Sequence, residues 1–439
     1  MTTKTMTKND ISIATVQALS ARHDESEWLR QCRLAAWETF EATPWPTYKE
    51  ETWRRTRLTG FKLANFGLPV AEAAPVAARD ALPEELRAEL GQVDSAGALI
   101  LQDGALIYSE LDEQLARRGV IFTDLRTALQ QDEELVRVHL GALVHTDENK
   151  FASLHYALWR NGAFLYMPRN VAAEKPFQVI IVQGSGLASF HHSLFIGEEN
   201  SEAVVIEDFV GSGQGMSDSV AETYVKQAAR LHYLRLQNLD ETAWNFATQR
   251  ASVARDGLYR LLQASWGGKL SKVWIDLEME EPGGHGELLG LYFPQDHQHI
   301  DHHTNQNHKV PRCTSDLLFK GALDDHARSV YQGMIRVHHG AQKTDAYQKN
   351  DNLLLSDHAR ADSAPGLEIE ADDVRCTHGA TSAKVPEEYV FYLMARGLSR
   401  KTAQRMIVQG FFEEVLNRVP VPGVRDKLEA EIAHRVGIE

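Results

Sequence analysis

A thiol and an imidazole stand two residues apart near the C-terminal end of the chain, at Cys376 and His378. If this segment is extended, both side chains leave the same face of the strand. Thiolate and imidazole are good ligands for iron, zinc or the edge of a metal cluster. They supply only two ligands, whereas a closed zinc site or a cluster usually takes four. The spacing therefore indicates either half of a site that another chain completes, or a buried cysteine beside a hydrogen-bonded histidine.

A second imidazole-rich stretch covers residues 296–308 and contains five histidines. Together with a neighbouring aspartate, such a cluster can hold nickel, zinc or non-haem iron in a hydrolase or oxygenase. On an extended strand the histidines divide between two faces, with His297, His299 and His303 on one and His302 and His308 on the other. We interpret the run mainly as a solvated polar ladder. A self-sufficient metalloenzyme on an all-β scaffold is the alternative.

The composition argues against several other functions. The 439 residues include 46 Lys and Arg against 61 Asp and Glu, and the net charge of −15 disfavours nucleic-acid binding. The chain has no G-x-x-x-x-G-K-[ST] sequence for ATP hydrolysis and no run of about 18 apolar residues that could span a membrane. Residues 1–10 lack the apolar segment of a secretory signal. Three cysteines make no disulfide framework, which favours a reducing cytoplasm.

The elements that position these residues are mostly strands. From about residue 154 to 369, short apolar runs recur every 10 to 15 residues or so, with Gly, Asn and Asp between them. Val273, Ile275, Leu277 and Met279 alternate with polar or amphipathic residues, which is the period of a half-buried strand. This array predicts an all-β domain, either a sandwich or a solenoid. Its length and the lack of a clear hairpin code favour a stacked β-helix.

Helical patterns flank the array. Trp28, Cys32 and Phe40 share an N-terminal apolar stripe, on which Cys32 is expected to be a small buried hydrophobe. After residue 381 three short amphipathic helices are predicted, and they could pack on the solenoid or dock a partner. The chain is thus divided into an N-terminal helical region, a linker with a small mixed α/β cap, a β core and a C-terminal helical region, at residues 1–70, 71–150, 151–375 and 376–439.

Several motifs in one order resemble the SufB/SufD family of iron–sulfur cluster assembly proteins. They occupy residues 46, 51, 53–56, 311–315, 320–321, 340–348, 352–356, 371–374, 376–381, 391–393 and 396–397. The likeness is closest to the SufD branch. Segment 352–356 lacks the cysteine that SufB-like chains carry there, and His378-Gly379-Ala380-Thr381 has the SufD form.

The resemblance implies a right-handed parallel β-helix between helical ends. It also implies a scaffold subunit without enzymatic turnover, which forms a heterodimer with a SufB-like subunit through the β-helix edge. A transient iron–sulfur cluster would be shared with that partner, with His378 and perhaps Cys376 as ligands, and none is expected in the isolated chain. A homodimer of this chain is a further alternative.

The same resemblance implies that a SufC-like ATPase docks on the C-terminal helices. The partner-binding residues expected there are Phe391, Leu393, Met394 and Arg396. Neither nucleic acid nor membrane is expected as a partner.

Overall fold

Two parallel β-sheets wind through most of the chain as a solenoid, and helices lie at both ends of the sequence. The computed structural model describes residues 11–69 and 74–437. The expectation that no secretory signal occupies residues 1–10, and the part of the predicted linker at residues 71–73, lie outside the described residues. The predicted mainly-β class with helical ends is confirmed, and the stacked arrangement is the one adopted.

The described helices are α1 (Ile13–Arg22), α2 (Glu27–Ala42), α3 (Glu84–Gly91), α4 (Glu113–Arg117), α5 (Leu125–Gln131), α6 (Glu133–His139), α7 (Lys150–Leu158), α8 (Glu387–Met394), α9 (Arg400–Leu416) and α10 (Pro422–Arg435). Short 3₁₀ turns lie at Glu51–Trp53, Leu63–Asn65 and Arg79–Ala81.

The described strands are β1 (Gly97–Gln102), β2 (Ala105–Leu111), β3 (Ile121–Asp124), β4 (Ala163–Met167), β5 (Phe177–Gln183), β6 (Ala188–Gly197), β7 (Glu202–Gly211), β8 (Met216–Val225), β9 (Arg230–Asn238), β10 (Trp244–Val253), β11 (Leu258–Ser265), β12 (Leu270–Met279), β13 (His285–Tyr292), β14 (His299–His308), β15 (Thr314–Leu323), β16 (Arg328–Val337), β17 (Asp345–Leu354), β18 (Arg360–Ile369) and β19 (Arg375–Lys384).

From β4 onward, successive strands alternate between the two sheets, whereas β1 and β2 lie together in one sheet and β3 and β4 in the other. One sheet has the order β19-β17-β15-β13-β11-β9-β7-β5-β1-β2, and the other has the order β18-β16-β14-β12-β10-β8-β6-β4-β3. All neighbours in both sheets are parallel except β2 on β1 and β3 on β4, which are antiparallel. The early end of each sheet therefore finishes on a strand of opposite direction. The late end finishes on β18 and β19.

Strand β12 shows why the periodicity was informative. Val273, Ile275, Leu277 and Met279 point into the solenoid and are buried, as their alternation predicts. Trp274 and Asp276 on the opposite face are half-buried rather than solvated, because the N-terminal region packs over this sheet.

The two helical regions cover different sheets. The N-terminal helices and α7 share an aromatic core with strands of the nine-stranded sheet, including Phe190 and Phe246. The C-terminal helices pack on the ten-stranded sheet through residues such as Phe412 and Val424. Each sheet thus has the solenoid interior on one face and helices over part of the other.

Three expectations need correction. Cys32 is exposed, because α2 turns Leu29, Arg33, Ala36, Trp37 and Phe40 inward instead. The β architecture extends beyond both expected boundaries. β1 pairs with β5 in a solenoid sheet, and β19 continues to Lys384 where a helical region was expected from residue 376. Residues 150–158, at the start of the expected β core, form helix α7.

Within residues 11–69 and 74–437, no helix combines the length and the apolar character needed to cross a membrane.

Candidate functional site

The last turn of the solenoid has no turn stacked on it within the described chain. Strand β18 pairs with β16 on one side, and β19 pairs with β17 on one side. The outer edges of both strands therefore carry backbone N–H and C=O groups without a neighbouring strand, an arrangement that favours pairing with another chain. Leu367 and Ile369 at the end of β18 are 36% and 40% exposed. At this end of the molecule, backbone hydrogen-bonding groups lack partner strands among the described residues, and apolar side chains are exposed to solvent.

Cys376 and His378 both lie on β19, and the predicted extended conformation is present. Their register partners on β17 are Ala346 and Gln348, which are buried inside the solenoid. Cys376 and His378 consequently sit on the inward-facing side of the last turn, on one face. Cys376 is half-buried, whereas His378 is exposed because no further turn covers it.

The environment of Cys376 disfavours the thiolate in the isolated chain. Its side chain packs against an apolar cluster that includes Ile335 and Val337. Burial raises the pKa of the thiol, and the negative charge of Asp345 adds to the increase. Because the thiolate is the metal-binding form, a metal that binds Cys376 must also displace its proton.

Polar groups form the floor beneath His378. Gln348 donates to the carbonyl of Gly366 over 3.1 Å and thereby joins the two sheets. Asn350 Oδ1 accepts from Ser363 Oγ and from Asn352 Nδ2, each at 2.8 Å. These residues were not recognised from the sequence as site residues, although the polar alternation at 348, 350 and 352 in a buried strand is a usable signal.

Two ligands are too few for a closed site. Among residues 11–69 and 74–437, no group of three or more His, Cys, Asp and Glu side chains is arranged to hold a metal ion. Cys376 and His378 can therefore contribute part of a coordination sphere, and further ligands would have to come from elsewhere.

The histidines of residues 296–308 do not form a solvated ladder along one strand face. His302 and His308 point into the solenoid, where their rings contact Ser265 and Ser315. His299 and His303 lie on the other face of β14, beneath the N-terminal region. Of the five, only His297 is exposed, and it lies before the strand begins. The expected division between two faces is present, but covering elements bury most of the rings.

Helix α8 presents an exposed apolar surface. Phe391 is 74% exposed and Met394 is 40% exposed, while Leu393 is half-buried against the core under the C-terminal helices. The Arg396 guanidinium lies over the Tyr392 ring, 4.7 Å from its centroid. Tyr389 and Tyr392 are also exposed and extend the surface beyond the residues expected from the sequence.

Comparison with known proteins identifies the family of the chain. Residues 180–411 match the family model described as the SUF system FeS cluster assembly, SufBD core domain, and residues 13–179 match the SufBD protein N-terminal region. The iron–sulfur cluster assembly protein SufD of Bacillus subtilis (strain 168) is 29% identical, over 98% of this chain and 99% of its own length. An iron–sulfur cluster assembly SufBD family protein of Staphylococcus aureus (strain MRSA252) is 27% identical, over 92% and 89%. The chain therefore belongs to the SufBD family of iron–sulfur cluster assembly proteins.

Proposed function

We propose that this chain is a scaffold subunit that pairs with a SufB-like protein through its last solenoid turn. The observation that carries the proposal is the pair of one-sided strands β18 and β19, with exposed inward-facing side chains next to them. A strand from a partner can satisfy the edge backbone groups and cover Leu367 and Ile369 in one step. A second copy of this chain is the alternative occupant of the same edge.

The nascent iron–sulfur cluster is the cargo of this interface. His378 is exposed on the edge strand with Cys376 beside it, so a partner chain can approach both side chains. The partner would supply the remaining ligands, since the chain offers two. The subunit itself performs no turnover in this proposal, and the isolated chain holds no cluster. Three free cysteines fit a reducing cytoplasm as the site of action.

A SufC-like ATPase docks on the exposed face of α8. Helix α8 carries an exposed, largely apolar surface that consists of Tyr389, Phe391, Tyr392 and Met394. Movement of the docked ATPase would act on the solenoid through the C-terminal helices, because these pack on the ten-stranded sheet.

The ligand role is tested with His378→Ala in the chain co-expressed with its SufB-like and SufC-like partners. We expect the complex to assemble normally and its iron and acid-labile sulfide content to fall severalfold after reconstitution, because one cluster ligand is missing. Iron and sulfide are measured per complex, with the visible absorption of the cluster as a second readout.

His358→Ala is the matched control, because His358 is also exposed but precedes β18 in a turn. It should leave the cluster content unchanged. Equal cluster content in His378→Ala and wild type would refute the ligand role. Loss of the complex itself in His378→Ala would instead assign this residue to assembly.

A further inference from the structure

An apolar cavity of about 770 Å³ lies within the N-terminal region. Of the described residues, four aromatic side chains line it, Phe40, Trp45, Phe61 and Phe66, and Lys62 is the only charged residue in that described lining. Small-molecule sites are typically concave, mostly apolar, and about 300–1,000 Å³ in volume. The dimensions and lining thus suit a small ligand with a large apolar part.

The wall of the cavity is held in place by a buried polar network. One wall of the cavity is formed by residues 58–66, which follow the 3₁₀ turn Glu51–Trp53 in the chain. Within that turn, the carbonyl of Thr52 accepts a hydrogen bond from Lys272 Nζ over 2.8 Å. Thr56 Oγ1 donates to Asp301, which also pairs with Lys272. Because Lys272 and Asp301 are buried on the solenoid, the network attaches this segment to a rigid sheet.

Aromatic packing and a backbone bridge fix the rest of the wall. The Phe61 ring centroid lies 5.1 Å from that of Trp244, which begins β10. Further along, the Gly67 amide donates to the carbonyl of Gly186 over 2.9 Å. The cavity is therefore preformed, which lowers the ordering cost of binding.

Positive charge without a carboxylate partner stands at the cavity lining, and two further such cations lie over aromatic rings outside that lining. Lys62 is exposed at the lining, Lys269 Nζ lies over the Trp244 ring at 5.5 Å, and the Arg57 guanidinium lies over Tyr48 at 5.8 Å. Within residues 11–69 and 74–437, none of the three cations has a carboxylate within 4.0 Å. In a chain of net charge −15, an exposed lysine at the lining of an apolar cavity with no carboxylate partner among the described residues favours an anionic ligand.

We propose that this cavity binds a small amphiphilic anion. Its apolar body packs among Phe40, Trp45 and Phe66, and its carboxylate, sulfonate or phosphate pairs with Lys62. An apolar hollow with one cation in its described lining suits one apolar group and one negative charge. This site is separate from the last solenoid turn and does not depend on the proposed cluster role.

Three ten-carbon probes with different head groups test the proposal on the full chain by titration calorimetry. Decanoate should bind saturably, decanol more weakly, and decyltrimethylammonium weakest of all, because Lys62 attracts the anion and repels the cation. Lys62→Gln should weaken decanoate binding by about fivefold or more and leave decanol binding unchanged, as expected for the loss of a charged partner.

Ala64→Trp tests the location, because Ala64 is exposed at the lining and a larger side chain fills the cavity without removing a core contact. Binding of both decanoate and decanol should disappear. Lys401→Gln is the charge-matched control, at an exposed residue of α9, and should bind decanoate like wild type. Equal affinity for decanoate and decyltrimethylammonium, unsaturable decanoate binding, or unchanged decanoate binding in Lys62→Gln would overturn the proposal.

Discussion

At the scale of single residues, the buried pair of Lys272 and Asp301 connects the N-terminal region to the solenoid through Thr52 and Thr56. Lys272 Nζ donates to Asp301 Oδ2 over 2.5 Å and lies 2.6 Å from His303 Nε2. Burial raises the pKa of Asp301, but Lys272 and His303 outweigh that effect and hold the carboxyl pKa below its usual value. The aspartate is therefore ionised and compensates the buried ammonium.

Asp301→Asn should destabilise the protein by about 3–5 kcal/mol, because it leaves the Lys272 ammonium buried without its counter-charge. Urea unfolding followed by tryptophan fluorescence measures the free energy, and the Trp53 and Trp274 rings that lie next to Lys272 contribute to that signal. The double variant Lys272→Met with Asp301→Leu should be less destabilised than Asp301→Asn, since no charge remains buried. A loss below about 1 kcal/mol in Asp301→Asn would show that the pair is not a stabilising unit.

The residues of the candidate site were partly predictable. That Cys376 and His378 share a face follows from the two-residue period of a strand. Their different exposure does not, because it depends on whether another turn follows β19, and residue order does not show where stacking ends. The histidines at 299 and 303 are also covered or uncovered by elements that residue order does not show, and in their case a distant segment buries them. Their alternation was visible, but the N-terminal segment that buries them is about 240 residues away in the chain, as in the contact of Thr56 with His299.

At the scale of elements, helix α8 separates a buried side from an exposed one. Its ends follow from local chemistry, with Pro386 preceding the first turn and Gly397 in the left-handed conformation after the last. The next helix begins at Ser399, whose hydroxyl accepts from the Thr402 amide as a cap. The apolar residues of α8 lie on all sides, so packing against α9 decides that Val390 is buried and Phe391 is not.

Phe391→Asp should abolish capture of a SufC-like ATPase while leaving the fold intact, because Phe391 is exposed and the charge enters an apolar docking surface. The unfolding free energy should change by no more than about 0.5 kcal/mol, as for surface substitutions generally. Co-purification with the tagged ATPase is the measurement. Leu393→Asp is unsuitable for this purpose, since Leu393 packs on the core and its loss of binding would be ambiguous.

Gln227→Asp is the matched control for the added charge, at an exposed residue in a turn between β8 and β9. It should capture the ATPase like wild type. Normal capture by Phe391→Asp would remove α8 as the docking element.

Helix α2 shows where an apolar stripe misleads. Trp28, Cys32 and Phe40 suggested one face, but the buried face includes Arg33, whose guanidinium pairs with Glu25 and lies 4.6 Å from the Trp159 ring centroid. A charged residue counts as solvent-facing in a sequence pattern, whereas here its charge is compensated inside. The inferred stripe was therefore displaced by about one position, and Cys32 was placed on the wrong side.

At the scale of the whole molecule, the solenoid holds two sets of buried ionisable groups whose effects on stability oppose each other. Burial lowers the pKa of His191 and His302 to about 3 and that of His308 to about 4. Burial also raises the pKa of Asp208 to about 7 and raises that of Glu207. The histidines reduce stability as the pH falls, and the carboxyls increase it. The dependence of the wild-type unfolding free energy on pH therefore reflects the histidine contribution opposed by the carboxyl contribution.

A variant isolates the contribution of one histidine from this balance. The folded pKa of His302 lies below the unfolded value of about 6.5, so its neutral ring contributes fully above pH 6.5, and that contribution is lost as the pH falls towards about 3. His302→Gln removes the titration and keeps a group that can bond to Ser265, the present partner of the ring at 3.1 Å.

Between pH 7 and pH 5, wild type should therefore lose about 2 kcal/mol more unfolding free energy than His302→Gln, since only the unfolded wild type gains the proton. Urea unfolding of both proteins at the two pH values measures this difference, and the carboxyl contributions cancel in the comparison. Identical pH dependence of His302→Gln and wild type would mean that His302 is open to water, and that the interior of the solenoid is not the dry environment that lowers its pKa.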